Sequence, residues 1–402
     1  MSDATGLGLA RGVLRRRSVY NGALPAPRAR MIATAPARIG MPLAEVDTPA
    51  LILDLDAFER NLARMAEALC GRPVRLRPHA KSHKCVEIAL RQIAAGAVGV
   101  CCQKVSEAEA LVAGGVEDML IANEIVGAAK LERLAALARS ARVGVCADAE
   151  ENVRDLDAAA RRAGVRLDVY VEINVGADRC GVEPGAPALA LARSIAAAPN
   201  LRFAGLQAYH GGAQHLRSVA ERERAIGRAV ELVRATRGLI ERQGIACATI
   251  TGAGTGSFPL ELASGAYDEL QPGSYVFMDA DYNRNEYGPA WPRFEQSLFV
   301  WTTVMSRPAP SRAVVDAGLK ASSVDSGLPL PWRLPGVDYV KASDEHGVLA
   351  VAPAARPLAL GAKLLLVPGH CDPTVNLHDW YVCVRCGVVE ALWPVSARGA
   401  LA

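Results

Sequence analysis

Between Val74 and Phe277 the sequence repeats one pattern: a short aliphatic run, then an Ala/Leu/Arg-rich stretch with helical spacing. The runs fall at 74–77, 97–102, 118–122, 143–147, 167–173, 203–209, 248–252 and 269–277. Continuous apolar runs separated by helices predict strands buried on both faces, as in a parallel sheet. Eight such units in about 200 residues predict a closed TIM-like (β/α)8 barrel. The intervening helices carry ordinary stop and start signals. V-S-E-A-E-A-L-V-A-G-G closes on glycine, and the Ala-rich segment from Pro187 stops before Pro199.

After about residue 296 the texture changes. S-L-F-V-W-T-T-V-M-S, R-A-V-V-D-A-G, K-L-L-L-V-P-G-H and D-W-Y-V-C-V-R read as strands without intervening helices. The expected organisation is an N-terminal extension over 1–42, lacking fixed structure, and a strand segment over 43–56 that pairs with the C-terminal sheet. A barrel over 57–290 and an antiparallel β domain over 291–402 follow. A 51% hydrophobic and 22% charged composition is enough for cores of that size.

The formal net charge is only +3, and much of the excess lies in a tail containing Arg11, Arg15, Arg16, Arg17, Arg28 and Arg30. That gives no argument for nucleic acid. No apolar run is long enough to predict a membrane span. The Arg-rich start is compatible with a transit peptide; a plain extension, or a true start at Met31 or Met41, is the simpler reading. Ten scattered cysteines favour reduced thiols and a cytoplasmic location. Cys383 and Cys386 form a lone C-x-x-C without the second pair that a zinc ribbon needs.

In such a barrel, reactive groups gather at the C-terminal ends of the strands. Those ends carry His79, Lys81 and His83; Gln103 and Lys104; Asn123 and Glu124; Asn174 and Arg179; and Gln207, Tyr209 and His210. The last two carry G-A-G-T-G-S, Gly252 to Ser257, and then Gly273, Ser274 and Tyr275. The glycine-rich exit can bring amides and the Thr255 and Ser257 hydroxyls to an anion, where barrels favour phosphate. Any one lysine is usually a solvated surface group. Lys81, however, lies between two histidines at the barrel mouth, near Arg77 and Lys84, which are expected to lower its amine pKa. A Schiff-base lysine and a phosphate loop on one rim imply pyridoxal phosphate.

Far downstream, V-P-G-H-C-D-P-T sets His370, Cys371 and Asp372 side by side. An imidazole and a carboxylate suit a divalent metal. On an extended segment neighbours point opposite ways, so His370 and Asp372 are expected to bind and Cys371 to turn away. His346 is a candidate base or substrate contact; for it and for His378 a structural role is the plainer reading. His215 is expected at the surface.

These residues resemble the D-threonine aldolase and D-serine dehydratase group of pyridoxal phosphate enzymes, which have the alanine-racemase-like fold. The resemblance runs from about 43 to 402, through T-P-A-L-I-L-D-L-D, R-C-G-V, G-T-G-S, M-D-A-D-Y, V-D-S-G-L-P, S-D-E-H-G-V and P-G-H-C-D-P-T. It is strongest to the 3-hydroxy-D-aspartate aldolases. It implies Lys81 as the Schiff-base lysine; His83 and His346 are candidates for catalysis by their positions, near the lysine and in the metal-bearing domain. Arg179 would face the cofactor's phenolic oxygen and Tyr209 would lie near its pyridine nitrogen; Gln207, at the same strand end as Tyr209, is a further cofactor-binding candidate. Gly254, Thr255 and Tyr275 would grip its phosphate; Gly256, Ser257, Gly273 and Ser274, at the same strand ends, are further cofactor-binding candidates. His370 and Asp372 would be the metal ligands. The dehydratases carry cysteine where Asp372 stands; a carboxylate favours Mg²⁺ or Mn²⁺, with Co²⁺ and Zn²⁺ as alternatives. The implied reaction splits a β-hydroxy amino acid, 3-hydroxyaspartate above D-threonine, into glycine and an aldehyde such as glyoxylate. A homodimer is implied as well.

Overall fold

The computed structural model describes residues 34–402. Residues 1–33, most of the expected extension, lie outside them. From residue 36 onward the chain is hydrogen-bonded: Gly40 N–H donates to Val389 O at 2.8 Å, and Val389 N–H to Met41 O at 2.9 Å.

The first strand, β1 (Ala50–Asp54), leads directly into α1 (Leu55–Leu69). Asp54 ends the strand and caps the helix, its carboxylate accepting Ala57 N–H at 3.0 Å. The barrel strands are β2 (Arg75–Leu76), β3 (Val100–Cys102), β4 (Asp118–Glu124), β5 (Arg142–Ala147), β6 (Leu167–Glu172), β7 (Leu201–Ala208), β8 (Thr249–Gly252) and β9 (Glu269–Leu270). Between them run α2 (Val86–Ala94), α3 (Val105–Ala113), α4 (Ala128–Leu137), α5 (Glu150–Ala163), α6 (Ala186–Ala197), α7 (Val219–Arg242) and α8 (Phe258–Ser264). All eight expected runs are parallel strands of one sheet in the order β2-β9-β8-β7-β6-β5-β4-β3. A parallel bridge between His79 and Cys101 joins its two outer strands. The last run is shorter than expected, because Ser274–Val276 forms a 3-10 turn instead of continuing β9.

Gly205 shows how tightly this sheet is built. It has φ of +143°, and a Cβ there would lie 1.8 Å from Thr249 O on β8. Gly205→Ala should therefore destabilise the protein by about 2–5 kcal/mol. Denaturant unfolding would measure this, and an unchanged midpoint would contradict the close approach.

The second sheet contains β10 (Leu298–Ala309), β11 (Arg312–Val315), β12 (Leu330–Pro331), β13 (Val337–Ala342), β14 (Gly347–Val351), β15 (Lys363–Val367), β16 (Trp380–Arg385) and β17 (Val388–Pro394). The strand before the barrel, β1, belongs to this sheet. β1 pairs antiparallel with β10 and parallel with β16, so this sheet holds one parallel pair in an otherwise antiparallel arrangement. All ten cysteines are free thiols. Among the described residues, no helix is long and apolar enough to cross a membrane.

Candidate active site

The barrel mouth opens into a cavity of about 320 Å³ lined by residues from most strand ends. Lys81, Arg179, Gln207, Tyr209, Gly254, Thr255, Gly273 and Ser274 line it, with His79, Gln103, Gln271 and Tyr282. Lys81 sits on a 3-10 turn, Ala80–Ser82, that follows β2. Its ammonium donates to Asp372 Oδ2, which joins the two sequence segments that lie far apart in the chain.

This pairing overturns the expectation of a lowered lysine pKa. Burial, the largest single influence, would lower it, but the Asp372 carboxylate together with the neighbouring Tyr209 and Cys371 holds Lys81 above the ordinary lysine range. Of the two neighbouring cations, Arg77 is bound to Glu269 and Asp118, each at 2.7 Å, and Lys84 is paired with buried Glu107. Asp372 mirrors this: burial would raise its pKa, but Lys81 and His370 hold it well below the usual carboxylate range.

The cavity wall at β8 is a cradle. Ala253 adopts φ of +70°, an unusual left-handed conformation for a residue other than glycine. A Cβ on Gly254 would lie 2.5 Å from Gln214 Oε1, and one on Gly273 would lie 2.7 Å from His79 O. Thr255 Oγ1 is buried there without a hydrogen-bond partner. Such an orphaned donor beside glycine-walled space fits a phosphate group. Gly256 and Ser257 turn the other way: Gly256 N–H donates to Gln214 Oε1 at 2.9 Å, and Ser257 Oγ donates to Glu261 Oε1 at 2.8 Å. They support the cradle from behind. Tyr275 is also turned inward, its hydroxyl accepting from Gln92 Nε2 at 3.3 Å.

On the opposite side, the Arg179 guanidinium lies 5.9 Å from the Tyr209 ring centroid. Its Nη2 is 3.9 Å from Glu172 Oε1. Burial, and then the neighbouring Glu124, push Glu172 up to about 8. His79 packs at the cavity with Nε2 2.8 Å from Gln103 Nε2, and burial keeps its ring neutral.

The H-C-D segment is not extended. His370 is the cap of a short helix, α9 (Cys371–Val375). Cys371 is buried rather than turned away from Asp372; its thiol donates to Asp372 Oδ1 at 3.3 Å. His370 Nδ1 lies 2.8 Å from Asp325 Oδ2. Its Nε2 has no hydrogen-bond partner among the described residues. One unpartnered imidazole nitrogen and one carboxylate fit a divalent metal.

The other histidines fall elsewhere. His83 is fully buried, accepts Cys85 N–H at 3.1 Å on Nδ1, and is pushed down to about 4 by burial. His346 is exposed on the β13–β14 turn and does not line the cavity. His378 Nε2–H donates to Ala321 O at 2.8 Å, a structural contact. His215, half-exposed, pairs with Asp281 at 2.6 Å.

Two acids were given no role by the sequence. Buried Asp279, in M-D-A-D-Y, accepts the Cys371 and Tyr282 amides, each at 2.9 Å, and so fixes α9 to the barrel mouth. Asp325, in V-D-S-G-L-P, holds His370. Both motifs stood in the resemblance, but no local spacing connects either acid to the H-C-D turn.

Residues 53–281 match the alanine racemase N-terminal domain, and residues 297–384 match a serine dehydratase domain. The chain is 53% identical to a D-threonine aldolase of an Arthrobacter species, over 90% of this chain and 96% of that protein. It is 49% identical to a 3-hydroxy-D-aspartate aldolase of Paracoccus denitrificans, over 90% and 95%. The crystal structure of a D-threonine aldolase from Filomicrobium marinum superposes with a TM-score of 0.89 at 55% identity, covering 92% of this chain and all of that one. The chain belongs to the alanine racemase N-terminal domain family, in the branch that carries a serine dehydratase-type β domain. That family implies pyridoxal phosphate, and within it the chain is a carbon–carbon lyase.

Proposed function

We propose that this protein cleaves, and in reverse forms, the Cα–Cβ bond of D-configured β-hydroxy amino acids. Both D-threonine and 3-hydroxy-D-aspartate are expected substrates, giving glycine with acetaldehyde or glyoxylate. The observation that carries this reading is that Lys81 and the Thr255 cradle line one cavity, and that Asp372, two residues from His370, accepts a hydrogen bond from the same Lys81 Nζ. Pyridoxal phosphate, when bound, supplies the electron sink that bond cleavage at Cα requires.

The chain's own groups have distinct tasks. Lys81 Nζ would hold the cofactor covalently and, once released, accept or return a proton beside Asp372 Oδ2. Thr255 Oγ1 and the glycine walls would seat the phosphate. Arg179 supplies positive charge on the Tyr209 side of the cavity. His370 and Asp372 would hold a divalent ion, whose charge favours loss of a proton from a hydroxyl. Asp372 also argues against the dehydratase reading, because a hard carboxylate stands where those relatives carry a soft thiolate.

The ranking of substrates has a physical basis. The two lysine and arginine side chains lining the cavity are Lys81 and Arg179, and both have tasks at the cofactor. The described lining therefore offers no further cation for the second carboxylate of 3-hydroxyaspartate. An uncharged β-substituent is accommodated at least as well, so we favour a broad enzyme over one restricted to hydroxyaspartate.

The test is aldehyde release from D-threonine, 3-hydroxy-D-aspartate and their L-isomers, with cofactor present and divalent metal added or chelated. Cleavage of both D-substrates, with chelation lowering the rate by about 10²-fold or more, is expected. Ammonia release without aldehyde would replace this reading with the dehydratase one.

A further inference from the structure

The V-D-S-G-L-P segment is folded over the H-C-D turn. Ser323 Oγ donates to Asp325 Oδ1 at 2.7 Å, and Ser326 Oγ to Asp325 Oδ2 at 3.1 Å. That oxygen also faces His370 Nδ1 at 2.8 Å. An ionised carboxylate only accepts, so Nδ1 carries the hydrogen and the imidazole tautomer is set.

The same loop holds the backbone of His370. Ser323 N–H donates to Thr374 Oγ1 at 3.1 Å, and Thr374 Oγ1 donates to His370 O at 2.8 Å. Arg284 Nη2 ties the far side of the loop through Ser326 O at 2.8 Å. The two segments approach so closely that a Cβ on Gly369 would lie 1.9 Å from Gly327 O. One segment thus fixes both the backbone and the ring of His370, with Nε2 as the remaining nitrogen.

We propose that Asp325 is a positioning residue of the metal centre: it orients His370 and fixes the tautomer that presents Nε2 to a divalent ion. This rests on the reading that His370 and Asp372 bind metal. A ligating histidine usually donates its other N–H to such a partner, and losing that partner costs about 10–100-fold in metal affinity. The alternative is a half-exposed ion pair with no bearing on metal.

The experiment measures Mn²⁺ affinity of the full-length, cofactor-loaded protein after chelator treatment, counting free Mn²⁺ by electron paramagnetic resonance. Asp325→Ala should bind about 10–100-fold more weakly. Asp325→Asn keeps an acceptor for Nδ1–H and should recover most of that loss. Metal-free melting temperatures close to wild type would show that both variants are folded. Wild-type affinity in Asp325→Ala would overturn the proposal. So would an Asp325→Asn variant as damaged as His370→Ala, since Asp325 would then be a ligand. If wild type bound no Mn²⁺, or if His370→Ala bound it normally, the metal pair itself would fall, and the proposal with it.

Discussion

Lys81→Ala is expected to remove the cofactor's visible absorbance and to lower aldehyde release by about 10³-fold or more. The loss should be chemical and not a failure to fold. Lys81 lies in the cavity wall on a short turn, and its side chain is 39% exposed. The rest of the cradle does not depend on it: Thr255, Gly254 and Gly273 are held by β8, Gln214 and the residues after β9. Added pyridoxal phosphate should still bind through its phosphate, with borohydride reduction fixing label to wild type at Lys81 and none to the variant. Peptide mapping reads this without any assay of turnover. Removing the ammonium also leaves Asp372 without its cation, so the cofactor-free variant should be less stable by about 1–3 kcal/mol. Label fixed at another lysine, or a variant retaining the wild-type rate, would displace Lys81 from this role.

The barrel was legible because its signal is one of composition and period. Strands buried on both faces must be continuously apolar, and β6 is buried along its whole length. Glycine and proline marked the helix ends, as Pro187 does at the start of α6. What failed was local continuity. The run from Glu269 has the composition of one strand, but β9 ends at Leu270 and Ser274–Val276 forms a 3-10 turn just after Gly273, where a Cβ would lie 2.7 Å from His79 O. The H-C-D segment is ambiguous for the same reason: three residues show no period that distinguishes an extended run from a helical turn. In the structure, Asp279 supplies the cap acceptor that makes the segment helical, from 92 residues away in the chain.

The site divides along similar lines. Strand ends identify the barrel mouth, so Lys81, Arg179, Tyr209 and Thr255 could be found from sequence. Whether a side chain faces the cavity or the wall behind it depends on neighbours. His83 lies only two residues beyond Lys81 yet is fully buried. Ser257 follows the cradle but bonds Glu261 behind it. The lysine pKa departs in sign from the expectation because proximity in sequence does not reveal charge partners. Arg77 and Lys84 are neutralised by their own acids, and the dominant charged neighbour is Asp372 from α9, between β15 and β16.

Asp372→Ala and His370→Ala should each lower cleavage by about 10²-fold or more, and the two together by little more than either alone, if one ion needs both ligands. Because Asp372 also contacts Lys81, its loss by itself does not separate a metal role from a lysine role. The structure shows no hydrogen bond from His370 to Lys81, so a matching defect in His370→Ala points to the ion. Asp372→Cys carries the argument further. It keeps a negatively charged donor at the same place but exchanges a hard oxygen for a soft sulfur. Preference should then move from Mg²⁺ and Mn²⁺ toward Zn²⁺. Metal content after reconstitution in mixed ions reads the shift directly. An Asp372→Cys protein that still selects Mn²⁺ would show that this side chain does not set the metal. Rates in Asp372→Ala and His370→Ala equal to wild type would show that bond cleavage here needs no metal at all.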